Sequence, residues 1–132
     1  MGSFRYDEQR LAYTVYGDGP NPTVLMPGLL LSQKMQRRLA RDLARRGNRV
    51  ITFDPLGHRA SDRPREMWRY SISAFARQTV ALLDHLALEQ AVVGGTSLGA
   101  NITLEVASIA SERVRGMVIE KVVDSLPTRT LG

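Results

Sequence analysis

The stretch VVGGTSLGAN, from Val92 to Asn101, places a single serine among residues that carry little or no side chain. An apolar run precedes the glycines and a helical pattern begins at Leu98, so the stretch predicts a strand, a tight bend and a helix. Residues 95–99, GTSLG, match the pattern G-x-S-x-G, in which a sharply bent backbone holds a serine nucleophile in the open and tolerates only small neighbours. The alternative is a glycine-rich turn in which Ser97 is incidental.

The rest of the chain predicts an α/β fold. Residues 3–16 alternate apolar and polar side chains with a break at Asp7-Glu8, which indicates a hairpin of two strands. After it, short apolar runs alternate with segments of helical spacing. The apolar runs are TVLM (23–26), RVITF (49–53), AVV (91–93) and VRGMVIE (114–120), and the helical segments are 33–46, which stops at Gly47, 72–86, which Ser71 caps, and the segment from 98. This alternation predicts a mostly parallel sheet flanked by helices, with an antiparallel pair in front.

The composition is that of an ordinary globular chain. Of 132 residues, 43% are hydrophobic and 23% are charged, which supplies enough apolar material for one core. No apolar run approaches the roughly 18 residues of a transmembrane helix, and the first residues lack the apolar segment of a secretory signal. There are no cysteines, and no His, Asp and Glu residues have metal-ligand spacing. We therefore expect a cytoplasmic protein with no membrane association, metal or cofactor.

The net charge is +5, and 16 of the 18 basic residues are arginine. Six of them cluster in one segment: Arg37, Arg38, Arg41, Arg45, Arg46 and Arg49. Helical spacing puts the first four on one face, and Met35, Leu39 and Leu43 on another. A basic patch is a footprint of nucleic-acid binding, but this one has no interleaved aromatic residues and no binding motif. We expect a solvated outer face and no nucleic-acid partner.

Three further segments, taken with the G-x-S-x-G bend, resemble the first half of an α/β-hydrolase-fold protein from about residue 4 to residue 120. TVLMPGLL stands in the place of the family's strand and oxyanion loop, FDPLGHRASDRP is similar to the family's D-x-x-G-x-G-x-S-x-x-P loop, and LLDHLAL precedes the bend. Two positions depart from the family pattern. Pro27 stands where histidine is common, and Arg59 stands where a second glycine is usual and would strain the loop if that position needs a positive φ.

The resemblance implies a serine hydrolase of the esterase type. Ser97 would attack an ester or similar acyl carbonyl of a small-molecule substrate and form an acyl-enzyme. The backbone N–H groups of Leu98 and Leu29 would form the oxyanion hole. Carbon–carbon bond hydrolysis, thioesterase and perhydrolase activities stay open, whereas a serine at this place argues against dehalogenase and epoxide-hydrolase chemistry. An alternative from another class is a non-catalytic binding or assembly module that retains the fold.

Neither of the two histidines, His58 and His85, suits the role of general base. His58 lies in the loop after the second buried strand, at a place that is structural in the family. His85 lies near the end of a helix, and parallel strands would put it at the opposite end of the sheet from Ser97. The family's chain order is nucleophile, acid, histidine. We therefore expect the catalytic histidine beyond Gly132.

The remaining expectations concern the last predicted strand and the tail that follows it. Residues 1–120 are expected to form a truncated α/β-hydrolase core without the lid and the last strands, and residues 121–132 an irregular tail. Glu120 closes the last predicted strand and is a candidate for the catalytic acid, with Asp124 a further one; the alternative for Glu120 is an ordinary strand end. An unpaired apolar edge strand favours association. We therefore expect pairing with a second copy or with a missing C-terminal half.

Overall fold

A computed structural model of the chain describes residues 2–26, 33–54, 61, 64–65 and 71–120, with the backbone alone for residues 33–35 and 120. In these ranges six strands form one sheet: β1 (Gly2–Tyr6), β2 (Gln9–Tyr16), β3 (Asn21–Leu25), β4 (Asn48–Asp54), β5 (Ala91–Thr96) and β6 (Val114–Glu120). Three α-helices and one short 3-10 helix accompany them: α1 (Gln33–Arg45), α2 (Ile72–His85), α3 (Leu98–Ile109) and the 3-10 turn Ser111–Arg113.

The strand order across the sheet is β1-β2-β4-β3-β5-β6. The pairs β1–β2 and β2–β4 are antiparallel, whereas β3–β4, β3–β5 and β5–β6 are parallel. The predicted parallel sheet with an antiparallel lead-in is therefore confirmed. Since β3, β4 and β5 are parallel, their C-terminal ends lie at one edge of the sheet, which is where ligands bind in folds of this kind.

The two faces of the sheet bury different residues because side chains alternate along each strand. In β3, Val24 packs against α2 and α3, and the next residue, Leu25, packs on the α1 side. The larger core lies on the face of α2 and α3 and includes Leu11, Ile51, Phe53, Phe75, Leu82, Val93, Ile102 and Val106. The smaller core lies under α1 and consists of Leu25, Ala40 and Val50, with Tyr16 and Leu43 packed against it.

Several local signals act as the sequence predicts. The Ser71 hydroxyl accepts a hydrogen bond from the N–H of Ala74 at 3.0 Å and so caps α2. Gly47 follows the end of α1 with a φ of 93°, a conformation that costs glycine little. Asp7 and Glu8, the predicted break, turn the β1–β2 hairpin with φ values of 52° and 66°. These residues fix where the elements begin and end.

Strand β5 is longer than its sequence predicts. The apolar run suggests an end at Val93, but the strand continues through both glycines to Thr96. Backbone pairing explains the extension, since Gly94 lies between strand partners on both sides, Leu25 in β3 and Val118 in β6. Neighbouring strands supply the hydrogen bonds that make an extended conformation favourable for residues of low strand propensity.

The apolar stripe predicted for α1 is confirmed at Leu43 and wrong at Leu39, and the side chain of Met35 lies outside the described residues. Leu39 is 43% exposed, whereas Gln36, one turn earlier, is only 3% exposed. The residues that meet the sheet are Ala40 and Leu43. Because Ala40 is small, α1 can approach β4 closely on the side that carries Ala40. In this orientation of the helix, Leu39 points away from the core.

Ser61 joins the predicted loop after β4 to the sheet. Its hydroxyl donates to the carbonyl oxygen of Asp54 at 2.5 Å and accepts from the N–H of Ala12 at 2.9 Å. Ala12 and Asp54 are partners across the β2–β4 pair, so the hydroxyl bridges the two strands where β4 ends. Ser61 is buried, and water cannot readily replace it.

We expect Ser61→Ala to lower the free energy of unfolding by about 2 kcal/mol, because it removes the hydrogen-bond partner of the buried Ala12 N–H and a donor to the carbonyl oxygen of Asp54. Urea unfolding followed by circular dichroism measures the change. Ser108→Ala is the matched control, since Ser108 is exposed on α3, and we expect it to stay within about 0.5 kcal/mol of the parent chain. Equal unfolding midpoints for the two variants would show that the bridge is dispensable.

Candidate active site

Ser97 occupies the bend between β5 and α3 in a strained backbone conformation. Its φ is 56° and its ψ is −121°, a combination that L-residues avoid and that costs about 1–3 kcal/mol. Other non-glycine residues with positive φ include Asp7 and Glu8 in the hairpin and Ala87 after α2, where turns and helix ends commonly require it. At Ser97 the strain lies between a buried strand and a helix.

The space around the bend admits only small residues. A Cβ atom added to Gly95 would lie 2.7 Å from the carbonyl carbon of Gly99 and 2.9 Å from its oxygen. A Cβ atom on Gly94 would lie 2.8 Å from the carbonyl oxygen of Val118. On the helix side, Ala100 is completely buried. The end of β5 and the first turn of α3 are therefore in close backbone contact at the bend.

Ser97 is 5% exposed. The sequence predicts an open serine, and this part of the expectation is wrong. Ser97 lies at the sheet edge, and nearly all of it is shielded from solvent.

The start of α3 supplies backbone donors beside Ser97. The Ser97 carbonyl accepts hydrogen bonds from Ala100 N–H at 3.0 Å and Asn101 N–H at 3.2 Å. Leu98 is the first helical residue, so its N–H has no acceptor within the helix and belongs to the positive end of the helix dipole. An anion that forms at Ser97 would therefore meet a donor that no carbonyl of α3 uses and a favourable dipole.

The ends of the neighbouring strands lie against the bend. The N–H of Met26 donates to the carbonyl of Gly94 at 2.9 Å, which holds the end of β3 beside β5. On the other side, Glu120 is the backbone partner of Thr96. The predicted oxyanion residue Leu29 follows Met26 by three positions and lies outside the described residues. So do His58, Arg59 and Asp124, which the sequence also singles out.

His85 lies away from Ser97. Its ring stacks on Phe4 of β1 at a centroid distance of 5.1 Å, and its Nε2 lies 3.3 Å from the hydroxyl of Tyr13 in β2. Two strands, β4 and β3, separate β2 from β5, which corresponds to about 14 Å across the sheet. A general base must reach within about 3 Å of the proton that it removes. His85 is therefore part of an aromatic cluster at the hairpin, and this position is consistent with the expectation that it is not the base.

A cleft of about 170 Å³ opens beside the bend on the α1 side of the sheet. We call it the α1 cleft, and its lining residues are Leu25, Met26, Gln36, Leu39, Gly95, Thr96 and Val118. The Thr96 hydroxyl is buried and has no hydrogen-bond partner within the described ranges. The cleft is thus mainly apolar, with a polar group next to Ser97.

The described ranges contain no group of three His, Asp or Glu side chains that could hold a metal ion. None of the helices in those ranges is long and apolar enough to cross a membrane.

Comparison with known proteins agrees with this geometry. A family model described as alpha/beta hydrolase fold matches residues 21–128. A putative non-heme haloperoxidase of Mycobacterium phage D29 is 30% identical over 114 residues, which cover 86% of this chain and 40% of that protein. A 2-hydroxymuconate semialdehyde hydrolase of Pseudomonas sp. strain CF600 is 31% identical over 105 residues, which cover 80% of this chain and 34% of that protein.

A solved structure, that of Est816, described as an N-acyl homoserine lactone degrading enzyme, superposes with a TM-score of 0.80 at 30% identity. The superposition covers 89% of this chain and 44% of Est816. The chain thus spans about two-fifths of the length of these three proteins.

Proposed function

Because the chain belongs to the α/β-hydrolase fold family, we propose that Ser97 is a nucleophile that attacks an ester or similar acyl carbonyl. The family membership and the hydrolases among its relatives support a hydrolase. The observation that carries the finer proposal is the backbone of Ser97, a non-glycine residue with a φ of 56° at the N-terminus of α3. Strain of this kind persists where the surrounding structure enforces it, and it clusters at reactive residues.

The proposed reaction has two stages. The Ser97 Oγ forms a bond to the carbonyl carbon as a general base takes the hydroxyl proton, and the carbonyl oxygen becomes an oxyanion. The leaving group departs with that proton and leaves an acyl-serine. A water molecule then attacks the acyl-serine, and its proton passes through the base to the Ser97 Oγ. The products are an acid and an alcohol, and the enzyme is regenerated.

The oxyanion is proposed to bind two backbone amides, those of Leu98 and Leu29. The position of Leu98 at the start of α3 supports its role as an oxyanion donor, since its N–H has no intrahelical acceptor. The position of Met26 beside Gly94 supports the proposed role of the Leu29 amide, because β3 ends next to the bend. Each such donor is worth about 10²–10³ in rate. The near-complete burial of Ser97 strengthens these electrostatic effects.

The general base is proposed to be a histidine outside these 132 residues. Glu120 is the candidate for the acid that orients it, supported by the backbone pairing of Glu120 with Thr96, the residue before Ser97. The lactone-degrading relative is consistent with the proposed substrate class, since a lactone is a cyclic ester. We propose a small-molecule ester or lactone as the substrate.

A fluorophosphonate probe tests this proposal, because it phosphonylates a serine only when that serine is activated. The probe is applied to the longest natural chain that contains these residues and to its Ser97→Ala and Ser108→Ala variants. We expect labelling of the parent and of Ser108→Ala, and none of Ser97→Ala. If the parent stays unlabelled, or if Ser97→Ala still reacts, the nucleophile proposal is wrong and the non-catalytic binding module replaces it.

A further inference from the structure

The outer surface of α1 carries a groove of about 450 Å³ that we call the arginine groove. Its lining residues are Arg37, Arg38, Arg41, Asp42 and Arg45. Four arginines and one aspartate give this lining a net charge of +3. The sequence predicts that these arginines share one face of the helix, and all four are exposed in the structure. A concave surface lined by charges of one sign concentrates ions of the opposite sign, so the groove attracts anions.

The one carboxylate among the described residues that line the groove pairs with a single arginine. Asp42 Oδ1 lies 2.9 Å from Nη1 of Arg45. This pair is solvated, since the two side chains are 50% and 75% exposed, and it neutralises one guanidinium at most. The charges of Arg37, Arg38 and Arg41 are therefore in excess within the lining of the groove.

The backbone that carries these arginines is held firmly on the sheet. Ala40 is completely buried in the core beneath α1. At the end of the helix, Asn48 Nδ2 donates a hydrogen bond to the carbonyl oxygen of Leu43 at 2.8 Å. Positions 37, 41 and 45 are four residues apart, and a helix rises about 1.5 Å per residue, so they form a row about 12 Å long. The groove thus presents cationic side chains at intervals of about 6 Å from a rigid element.

The ligand that this row fits best is a chain of phosphoryl groups. All four cations are arginine, whose planar guanidinium donates paired hydrogen bonds to phosphate oxygens. A single phosphate meets one or two guanidinium groups, whereas a linear polyphosphate repeats its negative charge along the row. Among the described residues that line the groove there is no aromatic side chain on which a base could stack, which favours a polyphosphate over a single-stranded nucleic acid.

We propose that the arginine groove is a binding site for inorganic polyphosphate. The polyphosphate chain lies along α1, and Arg37, Arg38 and Arg41 bind its oxygen atoms. The groove shares no residue with the α1 cleft and does not include Ser97. The proposal therefore does not depend on the proposed hydrolase activity.

Isothermal titration calorimetry of the 132-residue chain with sodium tripolyphosphate tests the proposal. We expect tripolyphosphate to bind at least about tenfold more tightly than orthophosphate, because its charges meet more than one arginine. Raising the salt from about 50 mM to about 200 mM is expected to weaken binding at least about tenfold, since the contacts are exposed and ionic. A thymidylate oligomer of the same net charge is expected to bind more weakly than tripolyphosphate.

Neutral substitutions locate the binding site. The double variant Arg37→Gln, Arg41→Gln is expected to bind tripolyphosphate at least about tenfold more weakly, because it loses two charge-assisted contacts, and glutamine preserves the helix. The matched control is the double variant Arg5→Gln, Arg77→Gln, which loses the same charge at two exposed arginines outside the groove. We expect the control to bind within about twofold of the parent chain.

Four results would each overturn the proposal. They are the absence of measurable binding of tripolyphosphate at about 50 mM salt, equal affinity for orthophosphate, an equal loss of affinity in the two double variants, and tighter binding of the thymidylate oligomer. Equal losses would mean that the net charge of the chain, and not the groove, attracts the anion. Tighter binding of the oligomer would identify the groove as a nucleic-acid surface.

Discussion

Gly95→Ala is expected to lower the free energy of unfolding by about 3 kcal/mol, near the upper end for an overpacked site. The added Cβ would lie 2.7 Å from the carbonyl carbon of Gly99 and 2.9 Å from its Cα. Both are backbone atoms, so a side-chain rotation cannot relieve the contact. Either β5 or the first turn of α3 must move, and the bend at Ser97 moves with it. Urea unfolding of the variant measures the loss.

Gly116→Ala is the matched control for this prediction. Gly116 lies in β6, and a Cβ there would meet only the Cγ2 of Val92, at the ordinary contact distance of 3.8 Å. We expect no loss of stability, or a gain of about 0.5–1 kcal/mol, since alanine restricts the unfolded chain. If Gly95→Ala and Gly116→Ala unfold at the same urea concentration, the close contact between β5 and α3 does not exist.

Ser97→Gly is expected to make the chain more stable and to abolish turnover of p-nitrophenyl acetate. Glycine adopts a φ of 56° without the steric cost that serine bears. After the entropic cost of glycine, the expected gain in unfolding free energy is about 1 kcal/mol. Loss of the hydroxyl removes the proposed nucleophile, and the hydrolysis rate of the longest natural chain should fall at least about a thousandfold.

Ser97→Ala separates the two effects. Alanine also lacks the hydroxyl, so turnover should fall equally, but its Cβ keeps the strain, and stability should stay within about 0.5 kcal/mol of the parent. A Ser97→Gly chain that is no more stable than Ser97→Ala would contradict the strained backbone. Turnover that persists in both variants would show that Ser97 is not the nucleophile, and it would not contradict the strained backbone.

Much of the fold follows from local sequence signals. Ser71 before an apolar stripe places the start of α2, and Asp7-Glu8 between alternating segments places the hairpin turn. In each case the residues that decide the structure are neighbours in the chain, so no distant contact is needed. The glycine pattern around Ser97 likewise predicts the bend, because the steric requirement is local.

Other features depend on contacts between distant segments. Ser61 bridges Ala12 and Asp54, and no local pattern reveals an acceptor and a donor from two strands. The burial of Gln36 and the exposure of Leu39 depend on how α1 is rotated over the sheet, which helical spacing alone does not determine.

The candidate site also combines features that local sequence predicts with features that depend on contacts between distant segments. The motif predicts a bend at Ser97 and a helix that starts at Leu98, and the structure has both, whereas the chemical roles of the two residues stay predictions. The pairing of Glu120 with Thr96 depends on the register of β6 against β5, which shifts near Ala91. Strand register is set by the whole sheet, so the sequence shows that Glu120 ends a strand but not which residue it faces.

The central claim is that Ser97 forms a covalent acyl intermediate. Its most direct test is to quench the longest natural chain with acid during turnover of p-nitrophenyl acetate and to locate the acetyl group by peptide mass spectrometry. The account predicts an acetyl group on the peptide that contains Ser97, at the serine itself, and none in the Ser97→Ala variant. Acetylation of another residue that accounts for turnover, or steady turnover by Ser97→Ala, would contradict it.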